Sequence, residues 1–227
     1  MSGERRTSDL PSCCNGDMAA SDEQSGSDPR EGSSLWERQR SAASRNREAI
    51  VRAARKLFEE RAIEEVEVRD IARAAGVGVG TVYRRFGDKG SLVAALLDGP
   101  ERELQNALLA GPPPLGPGAP SAKRLAAFLV ALAQLTENNL DLLFASEASC
   151  AGGRYRIGSY GAWRLHVTVL LRDIQPRIDH EWHADLLLAP LGAELYRHQR
   201  RELGMSAQRI VDNLVATVDV LTAKGDR

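Results

Sequence analysis

The sequence predicts an all-α protein, with a small N-terminal helical head, a larger helical body and a disordered leader, and three observations carry that reading. Apolar residues recur at three- and four-residue spacing from about residue 45 onward, with no alternating strand pattern and no internal repeat. Two of the periodic runs are very short and are joined by a glycine-bearing turn, Gly76-Val77-Gly78. A segment rich in proline and glycine, GPPPLGPGAP from Gly111 to Pro120, divides the chain.

Residues 1–40 are rich in Ser, Gly, Asp and Glu and lack the apolar centre of a secretory signal, so they are expected to be a disordered, cytosolic leader. Cys13 and Cys14 in that leader and Cys150 cannot build a disulfide framework, which fits a reducing compartment. No apolar run approaches the roughly 18 residues needed to cross a bilayer. An apolar fraction of 43% is ample for a core. The formal net charge of −1 excludes a polycation that coats nucleic acid, so any such binding must come from local clustering of charge.

From about Arg45, the apolar residues Ile50, Ala53, Ala54, Leu57 and Phe58 share one face of a first helix. Val68, Ile71, Ala72 and Ala75 define a second, barely two turns long, which stops at Gly76, the residue type that most easily takes the left-handed conformation after a helix. A third begins near Val79 and turns Val82 and Phe86 inward, leaving Thr81, Arg84 and Arg85 elsewhere on its circumference. Asp88 is placed to cap a fourth helix through Leu92, Ala95 and Leu96, and Gly99-Pro100 predicts a kink or break before Leu104 and Leu108.

Beyond the 111–120 loop, Leu125, Phe128, Leu129, Leu132, Leu135, Leu142 and Leu143 predict one long buried helix, and SCAGGRYRIG a glycine-bearing loop. Trp163, Val167, Leu170, Leu171 and Ile174 form the next stripe, ended by Pro176, and a further helical stretch runs from about Glu181 with Pro190 inside it. Ser206 is placed to cap a last helix carrying Ile210, Val211, Leu214, Val215, Val218 and Leu221.

Two short helices joined by a tight turn have too little area to stand alone and need the first helix as a floor, with Val77 plugging the small core. Such a helix-turn-helix, about 68–87, presents its second helix outward, where its N-terminal residues can enter a DNA major groove. Between Arg45 and Leu97 there are eleven Arg and Lys against eight Asp and Glu, a modest local surplus. Its arrangement says more, because the acids gather at Glu59, Glu60, Glu64, Glu65 and Glu67, while Arg84 and Arg85 meet no acid until Asp88.

The series Ile71-Ala72, Ala75-Gly76-Val77, Gly80-Thr81-Val82-Tyr83-Arg84-Arg85-Phe86 and Lys89 resembles the DNA-binding domain of the TetR family of transcriptional regulators, over about fifty residues. It departs from the family pattern at Ala62, at Gly78, where Ser or Thr often caps the recognition helix, and at Gly90, where an acid usually follows the lysine. The resemblance implies a DNA-binding domain over 41–98, a connecting segment over 99–120, and an effector-binding and dimerisation domain over 121–227. It implies that Thr81, Tyr83 and Lys89 hold phosphates, with Gly80 in the same turn of helix. Arg85, with Arg84 and Arg69, is then the candidate for reading base edges, since a guanidinium pairs bidentately with guanine, and Val79 for touching a thymine methyl. Arg38, Arg40 and Arg45, ahead of the first helix, are placed to reach a minor groove, although a solvated tail would look the same.

For the second half, the family pattern implies a homodimer through the last two long helices, about 181–202 and 206–224, a palindromic double-stranded DNA operator and a small-molecule effector. Residues 152–195 resemble the SbtR-like subgroup. A pocket lined by Phe128, Leu132, Tyr155, Trp163, His166 and Leu170 is expected, with Glu147 or His166 as its polar contact, though each of these suits an ordinary core as well. His180 and His183 lie beside Asp179, Glu181 and Asp185, but acids in a first helical turn are what the helix dipole favours, and no metal or other cofactor is expected. No GxSxG elbow, complete phosphate loop or HExxH is present, which argues against an enzyme. The competing reading is a helical small-molecule-binding or interaction protein that no longer binds DNA specifically.

Overall fold

The computed structural model describes residues 29–148, 152–156 and 158–223, with the side chains of 29–41 and of Arg156 outside the description. Cys13, Cys14, Cys150, the first 28 residues of the leader and the side chains of Arg38 and Arg40 therefore lie outside the described residues. The chain divides into two units, Met1–Ala42 and Ala43–Arg227. Among the described residues all regular structure is helical, and no helix is long and apolar enough to cross a membrane.

Helix α1 spans Pro29–Glu60 and so begins inside the stretch expected to be disordered. Proline at the first helical position supplies a pre-set φ and lacks only an N–H that has no helical partner there, and no further proline follows before the helix ends. A 3-10 turn, Ile63–Glu65, leads to α2 (Val68–Ala74) and α3 (Val79–Phe86). Ile50, Ala54, Val66, Ile71, Ala72, Val82 and Phe86 close a small core, completed by Leu92 and Leu96 of α4 (Lys89–Ala110). Asp88 caps α4, its carboxylate accepting from the Ser91 N–H at 2.6 Å.

Helix α4 runs through Pro100 as one helix, so the break, one of the two expected outcomes, does not occur. Proline has no N–H to give the carbonyl four residues earlier, and here the Leu96 carbonyl accepts instead from Arg55 Nη2 of α1 at 2.9 Å. Beyond this point α4 changes core, since Leu97, Leu104 and Leu108 pack into the body.

The body comprises α5 (Ser121–Asn138), α6 (Leu140–Ala148), α7 (Gly153–Arg156), α8 (Gly158–Ile174), α9 (His180–Leu188), α10 (Ala193–Arg197) and α11 (Ala207–Ala223). The single long helix expected through Leu143 is two, because Asn139 leaves helical geometry and its amide folds back onto the Leu135 carbonyl at 2.9 Å. The glycine-bearing loop holds one helical turn, α7. The stretch expected as one helix from Glu181 is also broken, with a 3-10 turn Ala189–Leu191 and a π-helical turn His198–Glu202 flanking α10.

Pro190 starts the first of these breaks and Gly192 turns extended. An ion pair from elsewhere in the chain seals it. The Glu147 carboxylate accepts from the Ala193 N–H at 3.0 Å, Arg154 donates to the Leu188 carbonyl at 2.7 Å, and the two side chains meet at 3.2 Å. A Cβ on Gly192 would lie 2.8 Å from Arg154 Nη1, so glycine gives the guanidinium its room. Ser206 precedes α11 and its hydroxyl accepts from the Arg209 N–H at 3.1 Å, as the sequence predicts.

Candidate nucleic-acid interface and effector cleft

The turn between α2 and α3 is set by backbone hydrogen bonds. Gly76 takes φ +67°, its N–H donates to the Arg73 carbonyl, and the Val77 N–H reaches back to the Ala72 carbonyl at 3.0 Å. This is the Schellman closure of a helix, in which the left-handed residue is most cheaply glycine. Gly78 then starts α3 with extended backbone and no side-chain cap.

Val82 and Phe86 anchor α3 in the head core. With about 100° of rotation per residue, Arg84 falls about 180° from their midpoint, flanked by Gly80 and Thr81, while Tyr83 and Arg85 lie about 80° to either side. Val79 is 40% exposed and Tyr83 51%. Arg84 and Arg85 are exposed, and among the described residues neither forms an ion pair. Arg84 makes only a long contact, 3.5 Å, to Thr81 Oγ1.

Arg69 is less available, since its guanidinium pairs with Glu67 at 2.7 Å. That exposed pair is worth under about 1 kcal/mol and yields readily to a phosphate. Lys89 begins α4, with Nζ 3.5 Å from the Glu64 carbonyl oxygen and the unpaired N–H groups of the first turn beside it. The structure thus brings Val79, Gly80, Thr81, Tyr83, Arg84 and Arg85 together on one helix, with Lys89 at the next helix start and Arg69 held at the edge.

The expected effector residues divide. Phe128 and Leu170 are core: Phe128 is fully buried, with its ring centroid 5.7 Å from that of Trp163 and 5.1 Å from that of His166. The Nε2 of His166 is buried without a hydrogen-bond partner among the described residues. Burial, with Arg124 nearby, pushes its pKa below 6.5 and favours the neutral ring. Leu132, Glu147 and Trp163 do line a small hollow, but at about 40 Å³ it has room for little beyond water.

A larger cleft of about 1010 Å³ opens on the other side of Glu147. Tyr155, 69% exposed, and Trp182, 58% exposed, stand on its wall, and Glu147, Arg154 and Tyr160 border both spaces. Arg164 grips Asp185 with two hydrogen bonds, 2.8 and 3.2 Å, and the Tyr160 hydroxyl donates to the same carboxylate at 2.7 Å. Burial drives the Glu147 carboxyl above the ordinary 4.5 even with Arg154 opposing. Sequence reasoning missed Arg154, Tyr160, Arg164, Trp182 and Asp185, because only the four-residue spacing of Tyr160 and Arg164 is a local signal. The acids and histidines near residue 180 are dispersed: Asp179 caps α9, Glu181 and Asp185 pair with Arg164, and among the described residues no three ligand-type side chains converge.

With this geometry in view, residues 50–96 match the family described as "Bacterial regulatory proteins, tetR family". These residues are thus similar to the DNA-binding domain of that family. Over 53 residues, 23% of the chain, it is 43% identical to HTH-type transcriptional regulators of Staphylococcus aureus strains USA300 and NCTC 8325, and the match covers 29% of each of those proteins. Solved structures extend the likeness to the body. A transcriptional regulator from Rhodococcus sp. Rha1 superposes with TM-score 0.60 at 22% identity, covering 80% of this chain and 98% of its own. NalD of Pseudomonas aeruginosa, the secondary repressor of the MexAB-OprM multidrug efflux pump, gives 0.53 at 20% identity over 78% and 96%. At these identities the likeness beyond the head is one of fold.

Proposed function

We propose that the chain is a cytoplasmic DNA-binding transcriptional regulator that works as a homodimer. Two copies of α3, about 34 Å apart, enter successive major grooves of a palindromic operator. The observation that carries this reading is the outer face of α3, where Gly80, Thr81 and Arg84 stand opposite the buried Val82 and Phe86 and the arginines are without carboxylate partners in the described chain. Thr81, Tyr83 and Lys89 position the phosphates. Arg84 and Arg85 read bases, with Arg84 now ahead of Arg85 because it points most directly away from the core, Val79 adds apolar contact, and Arg69 joins once it leaves Glu67.

The reading includes repression relieved by a small molecule. NalD, of the same fold, is a repressor by its own description, which supports that sign here. The effector occupies the cleft beside Glu147, Arg154 and Tyr155 rather than the apolar cluster around Phe128, His166 and Leu170, and the SbtR-like character of residues 152–195 belongs to that same wall. A route to the head exists, because Ser159 of α8 donates to Glu101 of α4 at 3.0 Å, one residue beyond Pro100. An effector acts only by the difference in its affinity for the DNA-competent and incompetent states.

The test is footprinting on the promoter region nearest the chain's own gene, with and without extracts of candidate effectors. Saturable protection of a palindrome supports the regulator, and its loss on adding an effector supports relief. Protection that an Arg154→Met variant no longer loses places the effector in the cleft.

A further inference from the structure

We infer that Arg55 is a positioning residue for operator binding: it donates the hydrogen bond that Pro100 cannot, and so fixes α1, with the recognition helix packed on it, to the joint between head and body. The inference rests on the operator reading given above. Within α4 the carbonyl of Leu96 would ordinarily accept from the N–H of residue 100, which proline lacks. Leu96 is buried, and a carbonyl left unpaired there is costly. Arg55 Nη2, 2.9 Å away on α1, supplies a charge-assisted replacement.

The position of this bond gives it its consequence. Leu92 and Leu96 belong to the head core, and Leu97, Leu104 and Leu108 to the body core, so the orphaned carbonyl sits where α4 passes from one to the other. Among the described residues Arg55 forms no ion pair. Of the acids that line the groove beside it, Glu137 and Asp141 are held by Arg200 and Arg201, both at 2.7 Å, and Glu59, one turn further along α1, forms no ion pair among the described residues. The carbonyl is therefore the partner that holds the guanidinium. A second tie between the same helices, Arg47 to Asp98 at 3.3 Å, is half exposed on both sides and correspondingly weak. The proline removes the usual donor to a carbonyl of one helix, and the neighbouring helix serves that carbonyl, which ties the two helices at this point.

The test takes an operator selected in vitro by the full chain from a random DNA pool, then measures affinity for it and for versions with half-sites one base pair closer or farther. Arg55→Met should lower affinity for the selected operator about ten-fold and the altered spacings less, flattening the spacing preference. The slope of log affinity against log salt should stay unchanged. Pro100→Ala restores an N–H to the Leu96 carbonyl, and adding Arg55→Met in that background should then cost little. Equal losses at all spacings with a salt slope smaller by about one would make Arg55 a phosphate contact. A loss as large with Pro100→Ala as without it would show that the guanidinium acts elsewhere, and either result overturns the inference. If the wild-type chain selects no operator, the operator reading falls, and this inference with it.

Discussion

In the head, Arg84 and Arg85 stand exposed with no carboxylate beside them among the described residues, whereas in the body Arg154, Arg164, Arg200 and Arg201 each close on a carboxylate between 2.7 and 3.2 Å away. The same side chain serves two ends. In the body it neutralises acids and ties segments distant in sequence, so its partner is within the chain. On α3 Arg84 and Arg85 have no carboxylate partner among the described residues, and under the proposed function that charge meets a polyanion outside the chain. Other head arginines are paired, as Arg61 is with Asp70 at 3.5 Å, while Arg73 on α2 is exposed without an ion pair among the described residues, so the contrast is between these named side chains rather than between whole regions.

The contrast is broken most severely at Arg154. Arg154→Met leaves Glu147 largely buried without its cation and takes the donor from the Leu188 carbonyl. Removing one partner of such a pair should lower the unfolding free energy by about 3 kcal/mol, read by urea denaturation. On the other side, Arg84→Ala should leave the urea midpoint within about 0.5 kcal/mol of wild type. It should weaken operator binding by about 1–3 kcal/mol at one base position, read by titration against single-base operator variants. Similar losses in stability from both changes would erase the distinction.

The body's ion pairs also set a pH signature. Two hydrogen bonds from Arg164 hold Asp185 below its ordinary value of 3.8, with the Tyr160 hydroxyl helping. A carboxyl whose folded pKa is depressed contributes stability above its unfolded value and loses it as pH falls through the folded one. Glu101 and Glu147 act with the opposite sign, because burial raises them above 4.5 and their charging costs stability as pH climbs through the raised value. Asp185→Asn should therefore flatten the acid limb of the urea midpoint against pH, with the difference from wild type closing below the folded pKa. The smallest effect is at the recognition helix itself. Gly78 has extended backbone and open space for a side chain, so Gly78→Ser should add a few tenths of a kcal/mol by capping α3, measured as a small rise in Tm.

These two regions were unequally legible in the sequence. The head could be read because its signals are local: Gly76 closes α2, Asp88 caps α4, and Val82 and Phe86 are four residues apart on one face. Where a distant residue decides, reading failed. The helix continues through Pro100 with Arg55, 41 residues before Leu96, serving the carbonyl that the proline cannot, and the stretch after Pro190 breaks around Arg154 and Glu147, 34 and 46 residues from the groups they bind. The pocket expectation failed in part for a related reason, since periodicity marks Phe128 and Leu170 as apolar and inward but not whether they face a space or one another.

Footprinting with the full chain on its own promoter region, at moderate salt, tests the central claim most directly. The expected result is saturable protection of a palindrome whose half-sites lie about one helical turn apart, which Arg84→Ala moves to higher protein concentration while leaving the fold intact. No protection, or equal binding to unrelated DNA of the same length, would contradict it.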